Sequence, residues 1–136
     1  MRGSYINGVV FGPGPVRMLV AMGNLGHLLE GNVDLLPSDT SGWFAFKTTW
    51  IVAASYQGPI IVRGRRIDGP GRVAILGGAL SGPLVVPPGP TINDFSRNRT
   101  APLGTYVSGP GCFAFQIDGK RFDEHIVVSA IGSATR

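Results

Sequence analysis

Clusters of glycine and proline break this chain before any apolar run grows long. Gly12-Pro13-Gly14-Pro15, Gly69-Pro70-Gly71, Pro87-Pro88-Gly89-Pro90 and Gly109-Pro110-Gly111 stand between the hydrophobic segments. Proline removes a backbone donor and glycine gives up much conformational freedom on folding, so both are disfavoured inside helices and favoured in turns. With 21 glycines and 11 prolines among 136 residues, the pattern predicts short strands rather than long helices. A hydrophobic fraction of 43% against 15% charged is enough to build a core and argues against disorder. The glycines lack a three-residue period, which excludes a collagen-like rod.

The clearest element signal is Pro110-Gly111-Cys112-Phe113-Ala114-Phe115-Gln116-Ile117-Asp118-Gly119-Lys120. Phe113, Phe115 and Ile117 fall on one face of a period-2 strand, and Cys112, Ala114 and Gln116 on the other. Asp118-Gly119 then reads as a two-residue hairpin turn. Residues 121–130 return the chain with Phe122, Ile126 and Val128 on one face, so a final hairpin is predicted. Upstream, residues 5–11, 15–22, 43–54, 60–67, 72–76, 84–86 and 105–108 read as strands. Residues 24–37 read as a hairpin arm, and a bend or bulge near Lys47 is expected in the long 43–54 segment, with Trp50 and Val52 facing the core. On 60–67, Ile60, Val62, Gly64 and Arg66 form the core-facing side, and Ile61, Arg63, Arg65 and Ile67 the other. The polar stretch 91–102 reads as the mobile loop. The expected architecture is an all-β, two-sheet antiparallel sandwich of about eight short strands at roughly ten-residue spacing. It occupies residues 5–136 as a single domain, with Met1-Arg2-Gly3-Ser4 read as an expression-tag remnant.

Two blocks carry a family resemblance: Trp50 followed by Tyr56-Gln57-Gly58-Pro59-Ile60-Ile61-Val62-Arg63-Gly64-Arg65-Arg66-Ile67-Asp68-Gly69, and the strand from Pro110 to Gly119. Together they resemble short uncharacterised bacterial exported proteins, in which a Trp-bearing strand precedes an Arg-Gly-Arg-Arg hairpin and a late Pro-Gly-Cys strand closes an immunoglobulin-like sandwich. Residues 1–40 carry none of the pattern. The resemblance implies the immunoglobulin-like fold and a secreted or cell-envelope location, and implies no catalytic activity.

The remaining residues offer several kinds of chemistry. The net charge of +4 is a mild excess, concentrated only at Arg63, Arg65 and Arg66, and without the aromatic interleaving that would make nucleic acid the expected partner. No apolar run approaches the roughly 18 to 20 residues that cross a bilayer as a helix, so no transmembrane segment is predicted. Guanidinium groups recognise carboxylate and phosphate bidentately, which makes the arginine cluster a candidate grip for an anionic polymer such as a polysaccharide, an acidic lipid head group or nucleic acid. An anionic glycan or envelope component is the expected partner, with a solvated strand end as the alternative. Arg65 lies on the opposite face from Arg66, so at most two of the three aim at one ligand. Arg63 and Arg66, with Tyr56 and Trp43 as aromatic surfaces for a sugar face, are the candidate ligand-binding residues; Phe44 and Phe46 belong to the same aromatic group, with core packing as the alternative.

Cys112 is the chain's one cysteine and cannot form an internal disulfide. As a nucleophile it would need His27 or His125 brought to it by the fold; otherwise it is a thiol packed between the sheets. Asp123, Glu124 and His125 are consecutive on a strand and point to alternating faces, so no metal site is expected. The Gly-Pro-Gly clusters lack the Lys-Ser/Thr of a phosphate loop, and no cofactor is expected. Asn98-Arg99-Thr100 fits a glycosylation acceptor that matters only in a eukaryotic secretory route. The function expected is a non-enzymatic extracytoplasmic binding or envelope-associated module. The alternatives are a self-assembling subunit of a homo-oligomer or filament, and a small enzyme built on Cys112 with His27 or His125.

Overall fold

The structure, a computed structural model, describes residues 9–20, 24–38, 42–75, 83–89 and 99–132. The proposed tag remnant, residues 5–8 of the first strand, residues 39–41, residue 76 and residues 91–98 of the polar stretch lie outside them. The described residues form two sheets. One contains β1 (Val9–Phe11), β2 (Val16–Val20), β5 (Phe44–Val52), β9 (Arg99–Val107) and β7 (Val73–Ala74) in that spatial order, with β4 (Leu36–Pro37) paired to β5 beside β2, making six strands. The other has five, in the order β3 (Asn32–Asp34), β11 (Asp123–Ile131), β10 (Gly111–Asp118), β6 (Ile60–Arg66) and β8 (Leu84–Val86). The protein is therefore mostly β with two sheets, as the glycine and proline punctuation requires. The strand order does not by itself establish an immunoglobulin-like topology.

Alternation builds the core. Phe113, Phe115 and Ile117 of β10 and Ile126, Val128 and Ala130 of β11 are buried on one side of the five-stranded sheet, joined by Ile60 and Val62 of β6. Val16, Met18 and Val20 of β2 and Phe46, Trp50 and Val52 of β5 answer them from the six-stranded sheet. Trp50 meets Phe115 edge to face at 5.7 Å between ring centroids, so the two sheets share one core. Each such fully buried large side chain contributes roughly 1.5–3 kcal/mol by leaving water.

Several expectations change. Residues 24–37 do not form a hairpin arm: they hold a short helix, α1 (Leu25–Leu29), followed by β3 and β4. The Asn24 side chain accepts the His27 N–H as a cap, only Leu28 is buried, and Gly31 at φ 85 lets the chain leave the helix. A single buried residue leaves no periodicity to read. β3 then runs parallel to β11, which makes the sandwich not wholly antiparallel.

No bend interrupts β5 near Lys47, because β9 matches it residue for residue from Phe44 opposite Val107 to Val52 opposite Arg99. That pairing also claims Arg99 to Pro102, which the polar composition assigned to a loop. The final hairpin forms, but with a four-residue connection rather than a two-residue turn: Asp118 pairs with Asp123, and the Gly119 N–H donates to the Phe122 carbonyl. A Cβ on Gly119 would run into the Phe122 ring, so its requirement comes from close approach. The described residues form eleven strands where about eight were expected, and five of them, β1, β3, β4, β7 and β8, are only two or three residues long.

Candidate anion-binding groove

The side of the five-stranded sheet turned away from the core carries a row of polar residues set by strand register. On β6, Arg63 and Arg65 alternate with buried Val62 and half-buried Gly64, so both guanidinium-bearing side chains leave on the outer face. The adjacent β10 places Gln116 opposite Arg63 and Ala114 opposite Arg65, and β11 places His125 opposite Gln116. Arg63, Gln116 and His125 thus form one row across three strands, spaced by about 4.8 Å per strand, and Arg65 stands about 7 Å further along β6. Ala114, being small, leaves a trough between them. The resulting open groove has a volume of about 430 Å³ and is lined by Arg63, Gly64, Arg65, Ile67, Ala114, Gln116 and His125.

Asp118, two residues beyond Gln116 on the same face, organises one end. Its Oδ2 accepts from Arg63 Nη1 at 3.0 Å and its Oδ1 accepts from Gln116 Nε2 at 3.0 Å. The Arg63 side chain remains 57% exposed, so this pair sits in water. Arg65 has no ion pair among the described residues. The groove therefore offers one guanidinium without an ion pair among the described residues, one lightly held guanidinium, an amide and an imidazole to a ligand. That set can bind a carboxylate and hydrogen-bond hydroxyls.

The four residues singled out from the sequence do not come together. Arg63 is in the groove. Arg66 is on the opposite side of β6, where its Nε donates to Asp68 Oδ1 at 2.7 Å and its Nη1 donates to the Pro70 carbonyl at 2.8 Å, fixing the turn after β6. The Arg66 hydrogen bond, with help from the Cys112 N–H, holds the Asp68 carboxyl below its usual value. Tyr56 lies at the β5–β6 connection. Its hydroxyl donates to the Pro59 carbonyl at 2.7 Å and accepts the Lys120 N–H at 3.0 Å, and its ring packs on Phe122 at 5.0 Å. Trp43 precedes β5 in the other sheet and carries the Arg72 guanidinium 4.7 Å from its ring centre. Gln116 and His125 were missed as partners of Arg63. Face parity on the last two strands contains them, but only the pairing register puts them in its row.

Cys112 is not packed between the sheets: it is half-buried on the outer face, opposite Ser129 of β11. His125 lies four positions along the same strand from Ser129, about 13 Å away. His27 is held on α1 by Asp34, with Nδ1 2.9 Å from Oδ1. Among the described residues no group of three or more His, Cys, Asp or Glu is placed to hold a metal ion. No described helix is long and apolar enough to cross a membrane. Asn98 of the glycosylation acceptor lies outside the described residues. Compared with protein-family models, curated proteins and solved structures, the chain matches none, and these comparisons identify no family.

Proposed function

We propose that this protein is a non-enzymatic binding module of the secreted or cell-envelope space, immunoglobulin-like in its sandwich, that recognises an anionic glycan on the outer face of its five-stranded sheet. The observation that carries the reading is the convergence of Arg63, Arg65, Gln116 and His125 from three strands on one solvent-facing groove. The donors and acceptors mixed along that groove suit a polyhydroxylated ligand. Acidic Asp118 and Asp123 at the β10–β11 end would repel a continuous anionic bilayer. The buried Trp50 packed across the sandwich on a central strand, together with the two motif blocks, supports the immunoglobulin-like assignment and the exported location.

The reading is tested on a glycan array at low ionic strength, where exposed charges are least screened. Retention of acidic oligosaccharides is expected over neutral ones, with Arg63→Ala/Arg65→Ala lowering it about a hundredfold, the scale of two lost charge-assisted contacts. Arg66→Ala leaves retention unchanged, because Arg66 serves the turn. Failure of every acidic glycan to bind, or wild-type binding by the Arg63→Ala/Arg65→Ala protein, rejects it.

A further inference from the structure

We infer that Asp118 is a resident carboxylate that occupies the Arg63 end of the groove as a ligand's carboxylate would, and that Arg65 is the guanidinium that first engages the incoming ligand. The inference rests on the glycan-binding reading and names the acidic group involved. Arg63 Nη1 and Gln116 Nε2 arrive from neighbouring strands and meet separate oxygens of one planar carboxyl group, each at 3.0 Å. Donors spaced to receive two oxygens of Asp118 are spaced to receive those of a sugar carboxylate. The geometry points to uronic-acid chemistry ahead of a sulfate ester.

Asp118 is also replaceable. Its pair with Arg63 is solvent-exposed, with side chains 57% and 31% accessible, and an exposed pair of this kind holds weakly against competition. Arg65, which makes no ion pair among the described residues, stands about 7 Å from Arg63 along the strand. A ligand carrying a carboxylate can therefore anchor on Arg65 while a second carboxylate, or a hydroxyl, competes with Asp118 for Arg63 and Gln116. Asp118 thereby lowers affinity for singly charged ligands and favours those with repeated carboxylates.

The test measures calorimetric affinity for a galacturonate hexamer, with a neutral galactose hexamer, a sulfated hexamer and anionic phospholipid vesicles as comparison probes. Asp118→Asn is expected to tighten galacturonate binding three- to tenfold, and Arg65→Ala to weaken it at least tenfold. Asp123→Asn is the charge-matched control: it removes the same charge from the residue paired with Asp118, and Asp123 makes no ion pair among the described residues. Asp118→Ser, checked with Asp118→Asn for native thermal unfolding, guards against a variant that misfolds. Equal tightening by Asp118→Asn and Asp123→Asn, weaker binding by both Asp118 variants, or a preference for the sulfated hexamer overturns the inference and leaves the glycan reading standing. Binding of vesicles but of no oligosaccharide, or of no probe at all, overturns the glycan reading itself.

Discussion

Gly64 lies on the core-facing side of β6, where its neighbours fill the volume a side chain would take. It pairs with Phe115, and a Cβ placed on it would meet Phe115 Cε1 and Val73 Cγ1 at 2.8 Å. The ring that crosses this position is the one Trp50 packs against, so the contact cannot relax without moving the centre of the core. Gly64→Ala is accordingly expected to destabilise the fold by about 1–3 kcal/mol through overpacking, read as a lower denaturation midpoint with an unchanged slope in urea. The alternation of β6 placed Gly64 on the inner face from sequence alone. The aromatic ring that makes glycine necessary there arrives from a strand some fifty residues later. Arg63 and Arg65 follow the same logic on the outer face: their shared side was legible, and their partners were not.

At the scale of elements, β9 was the least legible strand and Arg99 explains much of its placement. The residue is 3% exposed at the start of the strand, and its guanidinium donates to the carbonyls of Pro87, Tyr56 and Gly58 at 2.6, 2.8 and 2.8 Å. One side chain thus ties β9 to the β5–β6 connection and to the segment after β8. Burial lowers the Arg99 pKa from its ordinary value, and the three carbonyls replace the water it gives up. In sequence, Arg99 sits in the run of asparagine, serine and arginine that composition assigns to a loop. Full-length pairing with β5 overrides that composition. Arg99→Met, which keeps an apolar stem but leaves the carbonyls without this donor, is expected to cost about 2–3 kcal/mol. Amide hydrogen exchange should show the loss concentrated at residues 56–60 and 87–89. Uniform loss across both sheets contradicts this hub role.

The whole molecule is two sheets held by one core and by a polar contact between them. Glu124 sits on the inner face of β11, and its Oε1 accepts the Val16 N–H of β2 at 3.3 Å, while Oε2 is buried without a partner among the described residues. Burial raises the Glu124 pKa above its ordinary value of 4.5, against the opposing pull of the Val16 N–H, Arg17 and the Gly14 N–H. Because the folded state holds this proton more tightly than the unfolded state, its contribution is fully present below pH 4.5 and is lost as pH rises through the folded value. Asp68 works in the other direction and in a separate window, its contribution being lost as pH falls below its ordinary 3.8. Glu124→Gln keeps an acceptor for Val16 and removes the buried charge. Denaturation from pH 4 upward should therefore show the stability of wild type declining relative to that of Glu124→Gln; parallel curves for the two proteins contradict the assignment. By itself, the sequence determined the class of the fold, the final hairpin and which faces of β6, β10 and β11 are buried, because period-2 alternation and turn chemistry act between near neighbours. Only the tertiary structure decided that residues 25–29 form a helix, that residues 99–102 join a strand, that β3 runs parallel to β11, and that Gln116, His125 and Asp118 share a groove with Arg63 and Arg65. Each of those depends on pairing register and burial between segments distant in the chain, which local composition does not encode.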